Sequence, residues 1–124
     1  METKEKTTPN LSQFPKAKAE FDIFKDGYFK QMDSVILYEA QIALRLITRF
    51  YLLPFDFQSG VYLAFLREKG IYANAEQYDD GLFIARCVWY KPEFDSVGKF
   101  PIVPNNHTAL IQAIEAGFAR VETT

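Results

Sequence analysis

The sequence is short of the residues that most chemistry requires. It holds one cysteine, one histidine and one tryptophan in 124 residues. A single cysteine, Cys87, excludes an internal disulfide and a cysteine metal cluster, so folding needs no oxidising compartment and the cytoplasm is the expected location. A single histidine, His107, leaves no second imidazole for a metal site, and no acid or thiol is spaced with it as a ligand set would be. No phosphate-cradling glycine loop and no Gly-x-Ser-x-Gly elbow occurs. Charge of one sign is also missing: the net charge is -2. That balance provides no long-range field for nucleic acid or anionic lipid and argues against nucleic acid as the main ligand.

A long uninterrupted apolar run is missing as well. "VILYEAQIALRLITRFYLL", from Val35 to Leu53, has the length of a membrane span but carries Glu39, Gln41, Arg45 and Arg49. Each charge near a bilayer centre costs roughly 2.5–3.5 kcal/mol, against about 0.3–0.6 kcal/mol gained per apolar residue. The segment is expected to be an internal helix and not a span. The opening "METKEKTTPN" has no apolar core of the kind a secretory leader needs.

Aromatic residues are abundant: 12 Phe and 7 Tyr bring the aromatic share to 16%. Such an excess supplies a core and leaves surface for a partner. A chain of this length forms one domain.

Residues 1–20 are polar and interrupted by Pro9 and Pro15, and read as an extended N-terminal arm ahead of a single domain over 21–124. Asp26–Gly27 reads as a turn, in a hairpin or a helical turn. Asp33–Ser34 caps a long central helix over about 33–53, ended by Pro54 and apolar around most of its circumference. A second helix spans about 57–69, with Asp56 as cap and Gly70 at its left-handed end. "LFIARCVWYK", residues 82–91, is the best strand, following a turn at Asp80–Gly81. Its sheet partners are expected from Ile71–Ala75 and from Phe100–Val103. The segment "YKPEFDSVGKFPIVPNNH" supplies a turn at Asp95–Ser96, a proline-pinned edge and a cap at Asn105 or Asn106. A last helix covers about 106–118, with Gly117 fraying or ending it. The expected fold class is α+β with a small sheet; the alternative is a mainly helical protein with one β-hairpin.

Chemical candidates each have a structural explanation. His107 sits in the first turn of the last helix, where the dipole disfavours its charged form. Cys87 shares a strand face with Ala85 and Trp89 and reads as a small buried hydrophobe. Turn chemistry accounts for the acids of the loops. Glu39 falls on the apolar side of the long helix and needs a partner from elsewhere: Arg67 or Arg86, or Lys16 or Lys18 of a neighbour. An enzyme built on Glu39 or His107 lacks a second group spaced with either. No catalytic, cofactor or metal residue is therefore assigned, and no small-molecule substrate is implied. The interaction candidates are Glu39, Arg45 and Arg49 of the long helix, Phe14 of the arm, and Trp89 and Tyr90 at the strand end.

The C-terminal third, "CVWYKPEFDSVGKFPIVPNNHTALIQAIEAG", resembles small tailed-phage connector and head–tail adaptor proteins. In these an apolar strand leads through an Asp/Gly turn and a proline-bounded run to a short "AI" helix. The resemblance covers about residues 87–117 and implies a ring-forming virion component without catalytic residues. The expected function is thus that of a non-enzymatic assembly protein, a subunit of a homo-oligomer or larger complex. A small monomeric protein-binding or inhibitor module of the immunity type is the alternative.

Overall fold

In the computed structural model, residues 7–35, 48–90 and 93–123 are described. Among the described residues three helices and a four-stranded antiparallel sheet make an α+β fold: α1 (Pro15–Val35), α2 (Phe55–Glu68) and α3 (Asn106–Glu122), with β1 (Ile71–Asp79), β2 (Leu82–Trp89), β3 (Asp95–Ser96) and β4 (Ile102–Val103). The expected class holds.

The largest difference from the sequence reading lies at the N-terminal end. Residues 9–20 are no extended arm. A short 3-10 turn, Leu11–Gln13, buries Leu11, and α1 begins at Pro15. Proline is suited to a first helical position, because its missing N–H would be unpaired there in any case. The first-turn amides of Lys16 and Ala17 donate instead to the Glu122 carboxylate of α3, at 3.3 and 2.7 Å. The Asn10 amide donates to Glu115 Oε2 at 2.7 Å. Two acids of α3 thus hold the segment that polarity alone assigned to solvent.

Of the two readings of Asp26–Gly27, the helical one holds and the hairpin does not: both residues lie in continuous helix. Ala17, Phe21, Lys25 and Phe29 are buried at i, i+4 spacing. Their burial outweighs the roughly 1 kcal/mol that a mid-helix glycine costs. Asp33 and Ser34 lie within the last turn of α1. The rest of the expected long helix, 36–47, falls outside the described residues, and Phe50–Leu52 is a 3-10 turn.

Phe21 is the hub of the core. Its ring lies 4.9 Å from Tyr62, 5.4 Å from Phe65, 5.5 Å from Phe118 and 5.6 Å from Phe50. All five rings are within 1% of full burial, and their tilted and edge-on pairings are the favourable aromatic geometries. The Tyr62 hydroxyl donates to Gln58 Oε1, and Gln58 Nε2 donates to the Leu53 carbonyl, so both buried polar groups are satisfied.

α2 starts two residues before the expected boundary. Pro54 is its cap and makes no side-chain bond, while Gly70 at φ 79° closes it as expected. β1 and β2 pair over their length, Ile71 opposite Trp89 and Ala75 opposite Ala85, with an irregularity between Gln77 and Asp79 ahead of the turn at Gly81. On the other edge of β2, β3 pairs at Val88–Ser96 and β4 at Ile84–Ile102. Asp95–Ser96 is thus a short strand as well as the start of a loop. Extending the β4 register puts Pro101 opposite Ala85. Proline has no N–H to donate, so the pairing stops there.

α3 packs along the sheet face that carries Ile71, Ala73, Ala85 and Cys87. Asn105 caps it, accepting from the Thr108 amide at 3.2 Å. The helix runs on to Glu122, four residues past the expected end. Gly117 neither frays nor ends it: it is buried, and a Cβ there would stand 2.7 Å from Leu66 Cδ1. Glycine lets α2 and α3 approach at this point.

Candidate functional site

Strand alternation divides the sheet into two unlike faces. The inner face meets α3. On the outer face the rows run Tyr72–Val88–Ser96, Asn74–Arg86 and Glu76–Ile84–Ile102. Tyr90 and Phe94 continue it beyond the paired region, with ring centroids 5.5 Å apart. Tyr72 is 43% exposed, Ile102 46%, Tyr90 57% and Phe94 71%, and Tyr78, at the irregular end of β1, is 60% exposed. No described helix lies across this face. Isolated exposed apolar residues are unremarkable, but a cluster of them on one face marks a contact surface. Polar groups are interleaved: Arg86 Nη1 pairs with Glu76 Oε1 at 3.0 Å, and Asn74 Nδ2 donates to the Tyr72 hydroxyl at 3.0 Å.

An open groove of about 480 Å³ follows the interrupted edge of β2 between β3 and β4, lined by Ala85, Arg86, Val88, Phe94, Lys99 and Phe100 among others. It continues the same surface onto the edge.

The interaction candidates are scattered. Tyr90 stands on the outer face. Trp89, one residue away, turns inward and is half-buried, with the Arg120 guanidinium 4.7 Å from its ring centre. Phe14 is half-buried against the core, and Arg49 is exposed ahead of the Phe50–Leu52 turn. Glu39 and Arg45 fall outside the described residues. Two of the partners considered for Glu39 have acids of their own: Arg86 holds Glu76, and Lys18 holds Asp22 at 3.0 Å.

Cys87 and His107 lie in unlike surroundings. Cys87 is 1% exposed, and burial pushes its thiol up to about 11, away from the reactive thiolate. The His107 ring packs on Phe55 at 4.4 Å, with Nε2 3.4 Å from the Thr7 carbonyl and Nδ1 4.0 Å from Asp56 Oδ1. Cys87 makes none of these contacts. Among the described residues no group of three or more His, Cys, Asp or Glu is placed to hold a metal ion, and no helix is long and apolar enough to cross a membrane.

The densest titratable cluster went unnoticed in the sequence, because it spans α1 and the Phe50–Leu52 turn. Tyr51 donates to Asp22 Oδ1 at 2.5 Å and Lys18 Nζ to Oδ2 at 3.0 Å. Lys25, 6% exposed, lies 3.5 Å from Asp22 and 3.6 Å from Asp26, with its ammonium 5.1 Å from the Tyr51 ring centre. Burial alone would raise the Asp22 pKa; the hydrogen bonds from Tyr51 and Lys18 and the two lysine charges outweigh it and leave the carboxyl below its usual range. Burial, then the Asp22 carboxylate, raises the Tyr51 hydroxyl. These groups pair with one another, so the cluster fastens α1 to the turn.

The exposed tyrosines of β1 were missed for a different reason. "IYANAEQYD" is too polar to announce a long strand, although its alternation could have placed Tyr72 beside Asn74 and Glu76 on one face. No protein-family model, no curated protein and no solved structure matches the chain.

Proposed function

We propose that this chain is a non-enzymatic assembly protein, a subunit that joins copies of itself or a larger complex through the outer face of its sheet. The observation that carries the reading is the cluster of Tyr72, Tyr78, Tyr90, Phe94 and Ile102, all exposed on a sheet that α3 covers from one side. Tyrosine and phenylalanine are the residues that make contact hot spots, because each buries a large rigid area at small cost in side-chain freedom. The burial of the Cys87 thiol fits the same reading. The resemblance of residues 87–117 to connector and adaptor proteins supports its narrower form, a ring-forming virion component.

Sedimentation velocity and native mass spectrometry of the purified chain test it, alongside the double variant Tyr90→Ser, Phe94→Ser. Self-association, or co-purification in a large particle, that weakens in the double variant is expected. A chain that stays monomeric at high concentration, and that joins no particle in its native setting, overturns the reading.

A further inference from the structure

β1 is the outer strand of the sheet, and no described element pairs with its far edge. The Tyr90 amide donates to the Gly70 carbonyl at 3.0 Å, which sets the phase of the ladder. Even-numbered residues of β1 turn their backbone groups toward β2, and Ile71, Ala73 and Ala75 turn theirs outward. The strand is nine residues long and holds no proline. An unprotected edge of this kind is a template for another strand.

We infer that the occupant is a second copy of this chain, paired antiparallel through β1 about a two-fold axis at Ala75. The register that uses the whole strand puts Ala75 opposite Ala75 of the other copy and Ala73 opposite Gln77. It forms about six backbone hydrogen bonds, two for each pair of outward-facing residues. On the outer face it brings Asn74 opposite Glu76, an amide donor against a carboxylate, and Tyr72 opposite Tyr78. No like charges meet directly, which would oppose pairing.

The two ends of the strand complement each other, as a two-fold contact requires. At its start a cavity of about 200 Å³ is lined by Arg67, Gly70, Ile71, Tyr72 and Tyr90. Arg67 is exposed and forms no ion pair among the described residues. At its far end stand Tyr78, 60% exposed, and the exposed acids Asp79 and Asp80 of the turn. The same register lays Tyr78 of one copy along the cavity of the other and Asp80 opposite Gly70, beside Arg67. Each contact occurs twice. The result is a continuous sheet across both copies, with the two aromatic faces on one side.

This inference rests on the assembly reading, and its test separates the two. Ala75→Pro removes an outward N–H without touching the β1–β2 ladder, so circular dichroism should remain native. Dimerisation, read by sedimentation equilibrium, should weaken at least tenfold. Arg67→Glu and Asp80→Lys should each weaken the dimer, and the chain carrying both should recover it, a result that a merely misfolded variant does not give. A mixture of Asn74→Cys and Glu76→Cys chains should oxidise to a cross-linked heterodimer, while neither alone cross-links; buried Cys87 stays out of the reaction. A dimer that survives Ala75→Pro but fails in the Tyr90→Ser, Phe94→Ser variant overturns edge pairing and leaves assembly through the face. A chain monomeric under all conditions overturns the dimer. Should Ala75→Pro unfold the chain, the charge-reversal series decides, and failure of the double reversal to restore the dimer refutes the register.

Discussion

Replacing Gly117 by alanine sets two effects of similar size against each other. In a helix interior alanine is better than glycine by about 1 kcal/mol. The new methyl, however, would lie 2.7 Å from Leu66 Cδ1, 3.0 Å from Cδ2 and 3.3 Å from Cγ. Leu66 is fully buried, so its side chain can give way only by pressing on other core residues. Overpacking of this kind costs about 1–3 kcal/mol, which leaves Gly117→Ala less stable by about 1 kcal/mol after the helix gain. Leu66→Ala alone should lose about 3 kcal/mol through the cavity it leaves. Independent effects would add to about 4 kcal/mol. In the double variant the alanine methyl enters vacated space, the clash disappears and the helix gain is realised, so the loss should be about 2 kcal/mol. The coupling of about 2 kcal/mol is the diagnostic quantity. Urea unfolding of the four proteins, followed by circular dichroism at unchanged m-value, measures it. If Gly117→Ala were more stable than the parent, or the double variant additive within about 0.5 kcal/mol, then α2 and α3 do not meet at this glycine.

Phe21→Ala removes the ring on which four others pack and should lower unfolding stability by about 3–5 kcal/mol in the same assay; a loss under about 1 kcal/mol would return residues near 21 to the solvated arm. Glu122→Ala frees two first-turn amides of α1 and should lose about 1–2 kcal/mol, with protection of the Ala17 amide against hydrogen exchange dropping first. The Asp22 carboxyl is depressed in the folded state, so its stabilising contribution is present above the unfolded value of about 4 and is lost as pH falls through the lower folded value. Tyr51→Phe removes its hydrogen bond and should flatten the acid limb of the stability–pH curve, and an unchanged limb would dissociate Asp22 from it. Cys87, with its thiol at about 11, should react with iodoacetamide at pH 8 far more slowly in the folded chain than in urea.

What could be read without the structure was punctuation. Gly70, Gly81, Pro54 and Asn105 mark the ends of elements because each acts within a few residues of itself. The nearly unbroken run of apolar, β-branched and aromatic residues over Leu82–Trp89 announced the central strand for the same reason. The misread region, 9–35, is one where local preference and tertiary packing disagree. Lysines, acids, Pro15 and Gly27 describe a solvated chain. Helix there depends on Glu115, Glu122, Tyr62 and Phe118, which lie at least about thirty residues further along and which no local window includes. The exposed face of the sheet was half legible. Tyr90 stood out at a strand end, but Phe94 and Ile102 join it only through pairings set by β3 and β4, each two residues long.

The clasp between α1 and α3 also orders events in time. Phe21 is synthesised 97 residues before its partner Phe118, and the amides of Lys16 and Ala17 wait for a carboxylate 105 or more positions away. At about 5–20 residues per second the interval is roughly 5–20 s. Through that time the first helix can close against Phe50, Tyr62 and Phe65, but the side that meets Phe118 and Glu122 has no partner yet. A holding chaperone that recognises aromatic segments, or a slow stretch of codons, would act on this protein before α3 emerges and lose its grip once Phe118 arrives.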